Sequence, residues 1–119
     1  MKNYEDMSDF EINKLVALAS GKNIKFISVD VDDNEIGVIV GQKHTRQQLP
    51  FDPCNNPSDA WPIIDENNIT IINDHPSMRL AVNDAAEYYN GSSGIIASSD
   101  ENGFRAAMIV FLKMNEDKL

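Results

Sequence analysis

Cys54 is the sole cysteine of the chain and stands two residues after Asp52, in a sequence with two histidines, His44 and His75. A thiol, a carboxylate and an imidazole are the parts of a cysteine nucleophile or of a zinc site, because they offer lone pairs and exchange protons near neutral pH. The spacing argues against both. Neither histidine lies at helical or hairpin distance from Cys54, and zinc is ordinarily held by a tighter pair. A buried or capping thiol is the simpler reading. A second group, Asp30, Asp32, Asp33 and Glu35, resembles the carboxylate clusters with which nucleases hold magnesium, although acids at a hairpin turn are also what solvation selects. It defines the alternative function, a metal-dependent enzyme or nuclease accessory. Trp61 could stack on a base or on a peptide aromatic, yet a tryptophan two residues before the pair Ile63-Ile64 is more often core. The basic run Lys43 to Arg46 could touch phosphate, but its few charges steer weakly against the rest of the chain.

The stretch that gathers most of this chemistry is CNNPSDAWPII, Cys54 to Ile64, with the only tryptophan and, counting Pro53, three of the five prolines. Fixed irregular segments on a compact scaffold commonly carry recognition. We therefore assign the binding residues to Cys54, Asn55, Asn56, Pro57, Ser58, Asp59 and Trp61. No catalytic residue, metal ligand or cofactor is assigned.

Composition bounds the rest. A chain of 119 residues with 42% hydrophobic content suits a single domain spanning the whole sequence. Ten basic against nineteen acidic residues give a net charge of -9, which works against direct binding of nucleic acid. One cysteine permits no internal disulfide, which fits a reducing cytoplasm. The start MKNYEDMSDF lacks the apolar run of a signal peptide, and the longest apolar run, Ala106 to Leu112, is far short of the ~20 residues that cross a bilayer. A soluble protein without a membrane partner is expected.

These elements must position the candidate residues. Ser8 and Glu11 form the S-x-x-E signature of a capping box, with Met7 and Ile12 at the staple positions. Ile12, Leu15, Val16 and Ala19 share a helical face and Gly21 suits a left-handed C-terminal residue, so a helix is predicted over Asp9–Ser20. From Ile24 the period becomes two, with Ile27, Val29 and Val31 on one side, then a turn at Asp32–Asn34 and a second strand through Ile36, Val38 and Val40, a hairpin whose glycines suggest a bulge or an edge. The polar run 42–53 reads as an exposed loop. Asn56 caps a short helix with Pro57 at its first position, Pro62 kinks it or ends it near Glu66, and Trp61, Ile63 and Ile64 face inward. Ile69–Ile72 reads as a strand. Residues 78–89 fit a helix and a strand alike; the reading adopted is strand, turn, strand, with Ile95-Ile96-Ala97 as the last strand. Asn102 caps a C-terminal helix that is apolar nearly all round and therefore buried, followed by a frayed polar tail. The fold class is α+β: an antiparallel sheet with an N-terminal helix, a short central helix and a buried C-terminal helix.

Three stretches in this order, SDFEINKLVA, FDPCNNPSDAWPII and FRAAMIVFLKM, resemble the NinX family of small lambdoid-phage proteins. The middle one is the specific motif, and together they span roughly a third of the chain. The resemblance implies a phage or prophage accessory protein acting in the bacterial cytoplasm and transfers no catalytic residue. Where that family usually has Asn-Pro-Leu before Arg-Ala-Ala-Met, this chain has Asn102-Gly103-Phe104, and glycine for proline implies a looser helix start. The function expected is a small acidic protein-interaction module whose partner is a host or phage protein.

Overall fold

The computed structural model describes residues 3–21, 23–29, 35–41, 48–73, 75–91 and 94–119. The first helix, α1 (Asp9–Ala19), begins with the capping box intact: the Ser8 hydroxyl oxygen accepts from the Glu11 N–H at 3.1 Å, and the Glu11 carboxylate accepts from the Ser8 N–H at 3.3 Å. Both N–H groups would otherwise be orphaned at a helix start. Gly21 ends it at φ +76°, a backbone region that glycine enters without penalty.

Strands β1 (Asn23–Val29) and β2 (Glu35–Gly41) form the expected antiparallel hairpin. The register slips between Ile24 and Phe26 and again between Ser28 and Val29, so the irregularity suggested by the glycines is present. The edge is not. β2 lies in the middle, because Gln48–Phe51, expected as exposed loop, pairs with it as β3. A proline within this strand is tolerated because β3 is the outer strand of this sheet and one side of its backbone has no ladder to complete. Phe51 and Pro53 are buried, which anchors the segment that leads into Cys54.

The central helix, α2 (Pro57–Glu66), starts at Asn56, whose side-chain oxygen accepts from the Ser58 N–H at 3.0 Å, and runs through Pro62 to the expected end. Ala60, Ile63 and Ile64 form its buried stripe. At 100° per residue Trp61 falls on the margin of that stripe rather than within it, so it is 47% exposed, contrary to the inward position expected for it.

The second sheet is an antiparallel meander of β4 (Thr70–Ile72), β5 (Arg79–Val82) and β6 (Ala97–Asp100). β4 and β5 fall where expected. The predicted turn between β5 and the last strand contains a short helix, α3 (Ala85–Tyr89), because Asp84 accepts from the Glu87 N–H at 3.1 Å and caps it. The last strand also lies later than Ile95–Ala97. Asn83 binds Ile96 twice, through its backbone N–H at 3.1 Å and its side-chain oxygen at 2.9 Å, so pairing closes there and continues into the polar ASSD.

The last helix, α4 (Gly103–Met114), is the centre of the core: Ala106 to Leu112 are all buried. It packs on α1, α2 and the second sheet. Neighbours on every side explain an apolar run with no polar face. The tail is a short 3-10 turn, Glu116–Lys118, with Leu119 partly buried against the core, rather than a frayed end.

Candidate functional site

The Cys54 stretch is held by polar side chains from three helices. Asp52 to Asn56 form a tight turn in which the Asp52 carbonyl accepts from the N–H groups of Asn55 at 3.1 Å and Asn56 at 2.7 Å. Asn13, buried in α1, clamps it from one side: its oxygen accepts from the Cys54 N–H at 3.1 Å and its amide donates to the Asp52 carboxylate at 2.7 Å. Asp59 in α2 accepts from the Asp52 N–H at 2.9 Å. Asn102 clamps from the third side, donating to the Cys54 carbonyl at 2.6 Å and to the Asn55 side-chain oxygen at 3.2 Å. Its own oxygen meanwhile accepts from the N–H groups of Phe104 and Arg105, so one side chain caps α4 and fastens the turn.

Arg105 completes the junction. Its guanidinium donates to Asp9 at 2.7 Å, to Asp100 at 3.1 Å, and to the carbonyls of Met7 at 2.6 Å and Glu5 at 3.2 Å. Asp9 also accepts from the Asn55 amide at 3.1 Å. The carboxylates strengthen the positive charge on Arg105 against the burial that opposes it.

The assigned binding residues therefore divide. Cys54 is fully buried, and that burial pushes its thiol pKa up, with Asp9 adding to the shift, so it presents neither a thiolate nor a surface contact. Asn55, Asn56 and Asp59 spend their polar groups on Asp9, Asp52 and helix starts. Pro57, Ser58 and Trp61 are exposed, and so are Asn55 and Asn56 beyond those bonds. His75 lies at the surface and accepts from the Ser77 N–H at 3.2 Å. Asp30, Asp32, Asp33 and His44 fall outside the described residues, and among those described no three His, Cys, Asp or Glu side chains are grouped to hold a metal ion.

What Trp61 faces is a cleft of about 390 Å³ that it lines with Ile71, Arg79, Asn102, Gly103 and Phe104. The Trp61 and Phe104 rings meet edge to face, 5.7 Å between centroids and 85° between planes. Gly103 sits against the second sheet: a Cβ there would lie 3.1 Å from the Ile71 methyl, a tight approach that would displace it by a few tenths of an ångström, and at ordinary contact, 3.5 Å, from the Arg79 stem. The start of α4 is fastened by the two N–H bonds to Asn102, and the loosening expected from glycine is countered by this cap. A second, smaller hollow of about 250 Å³ touches Ser58, Asp59, Pro62 and Glu66.

Sequence reasoning missed Asn13, Arg105 and the cleft residues Ile71 and Arg79. Asn13 carried a signal, since it shares a helical face with Val16 and Ala17, and a polar residue on such a face must find a partner. Arg105 carried a weaker one as the cation that opens an otherwise apolar run.

Fold and site together define a small α+β protein in which an Asn and Arg clasp joins the N-terminal helix, the central turn and the C-terminal helix. Residues 3–115 match the family described as bacteriophage P22, NinX, and the chain belongs to that family. It is a phage accessory protein. A comparison with curated proteins returns no match. Among the described residues no helix is long and apolar enough to cross a membrane.

Proposed function

We propose that this phage protein is an interaction module that binds a host or phage protein in the cytoplasm of the infected bacterium, through the face carrying Pro57, Ser58 and Trp61. One observation supports this reading above the others: a tryptophan 47% exposed, packed edge to face on the Phe104 ring, beside a cleft. Tryptophan is among the residues most enriched as interface anchors, and a ring that already packs on a neighbour has less freedom to lose on binding. The clasp beneath it serves as the rigid support that such an anchor needs. Cys54, Asn55, Asn56 and Asp59 belong to that support.

The test compares wild type with Trp61→Ala as bait in lysate of phage-infected cells, with the captured protein then purified and its affinity measured for both. Loss of about tenfold or more in affinity, with the melting curve of the variant still cooperative, is the expected result. Equal affinity for both proteins would overturn the reading.

A further inference from the structure

Asn-Gly occurs twice in the chain, at Asn90-Gly91 and at Asn102-Gly103. Asparagine is thermally labile, and most so before glycine, which has no Cβ to crowd its own nitrogen. That nitrogen attacks the asparagine Cγ: the N–Cγ bond forms, the Cγ–Nδ2 bond breaks, and ammonia leaves with the proton of the glycine N–H. Solvent water then opens the cyclic succinimide at either carbonyl, giving aspartate or isoaspartate. No oxidant or reductant enters. We infer that Asn102 is a deamidation site held closed by its own role in the clasp, and that its conversion makes an opening of the clasp permanent.

The two sites are held very differently. Asn90 is exposed and follows α3, of whose five residues none is buried. The backbone there donates from Asn90 to the Ala86 carbonyl at 3.0 Å and from Gly91 to the Tyr88 carbonyl at 3.1 Å, so fraying of one uncovered turn frees the glycine nitrogen. The Asn102 side chain has four bonds of its own: its oxygen accepts from Phe104 at 3.0 Å and Arg105 at 3.3 Å, and its amide donates to Cys54 at 2.6 Å and Asn55 at 3.2 Å. Its backbone N–H donates to the Asp100 carboxylate at 2.8 Å. Ring closure turns Cγ toward the Gly103 nitrogen and takes the side chain off all four partners, so the reaction waits until the clasp opens.

The product cannot rebuild what opened. Aspartate keeps an oxygen for the N–H groups of Phe104 and Arg105, so the cap of α4 survives. Where Nδ2 donated, however, an oxygen would face the Cys54 carbonyl and the Asn55 side-chain oxygen with no proton between them. Isoaspartate also lengthens the backbone by a methylene and displaces the cap. The bonds that protect the amide are the ones its loss destroys.

The test ages wild type in native buffer and in urea near its unfolding midpoint. Trypsin then releases residues 80–105 as one peptide, whose fragment spectra score both sites. Asn102 should convert about tenfold or more slowly than Asn90 in native buffer, and within about threefold of it in urea. A short thermolysin pulse on the urea-aged sample destroys the molecules that are unfolded, and the survivors should be depleted of product at 102 but not at 90. Gly103→Pro removes the attacking N–H, and the Asn102 backbone at φ -97°, ψ 110° is one that a following proline accepts. This variant should lose product at 102 alone. Equal rates at the two sites in native wild type overturn the inference, whatever the variant does, as does absence of product at 102 in urea. Survivors as rich in product at 102 as at 90 overturn it equally, because the clasp would then have closed again on the acid.

Discussion

Arg105 Nη1 lies 2.7 Å from the Asp9 carboxylate, an ion pair across 96 positions that closes the first helix onto the last. The Arg105 side chain is 12% exposed and Asp9 44%, so the charge is removed from water on one side of the pair only. Arg105→Met should lower stability by about 2–3 kcal/mol, below the 3–5 typical of fully buried pairs, because Asp9 and Asp100 stay partly solvated when left alone. Urea unfolding checks it. A loss under about 0.5 kcal/mol would show that the guanidinium is dispensable to the junction.

Cys54 gives a chemical test of the same region. Burial raises its pKa above the ordinary 9.0, so the folded state keeps the proton that the unfolded chain releases. For a raised pKa the contribution to stability is full below 9.0 and is lost as pH rises through the folded value, so stability should begin to fall above about pH 9. Cys54→Ala should remove its part of that slope and leave the part due to Tyr4, whose pKa burial also raises above 10.0. In native protein at neutral pH, Ellman's reagent should label Cys54 only as fast as the chain opens; labelling at the rate of a free thiol would place the sulfur at the surface.

Much of the fold was legible because its signals are local. The capping box at Ser8 and Glu11, the period of two in β2 and the unbroken apolar run of α4 each name their element without knowledge of the rest. The site was less so. The roles of Asn13 and Asn102 depend on a turn 41 and 48 residues away in sequence, and that of Arg105 on Asp9, 96 residues away; no periodicity encodes those distances. Trp61 illustrates the limit of composition: it belongs to an apolar neighbourhood, but the rotation of α2 set by Ala60, Ile63 and Ile64 puts it on the rim. Gln48–Phe51 became a strand because β2 offered it a pairing edge, a tertiary fact invisible in a polar run containing a proline.

Trp61 and Phe111 should therefore respond unequally to truncation. Phe111 is 4% exposed in α4, and Phe111→Ala should cost on the order of 3–5 kcal/mol through lost burial and the cavity left behind. Trp61, 47% exposed, has only part of its surface to lose, and Trp61→Ala should cost about 1–2 kcal/mol. Thermal or urea unfolding of both variants decides it, and a Trp61 loss as large as that of Phe111 would return the ring to the core.

The last contact to test joins the chain's two ends through Glu5 and Lys113. Lys113 Nζ donates to the Glu5 carboxylate at 2.7 Å and to the Ala97 carbonyl at 3.1 Å, so the lysine ties the N-terminal segment to β6 as well as to α4. That hydrogen bond is the main reason the Glu5 pKa is lowered below its ordinary 4.5; partial burial opposes the shift, and the Ser98 hydroxyl, donating at 3.4 Å, adds a little to it. A lowered pKa means that the folded state favours the carboxylate, so its contribution is present above 4.5 and is lost as pH falls through the folded value. Because the Glu5 side chain is 42% exposed, the pair contributes at most about 1 kcal/mol at low salt and less as salt is added. Lys113→Met and Glu5→Gln, measured singly and together by urea unfolding, give the coupling between them. The coupling should be present near pH 7 and shrink at acid pH, as the carboxylate takes up its proton below 4.5. A coupling of the same size at both pH values would mean that the two side chains act through packing, and that charge does not hold the N-terminal segment in place.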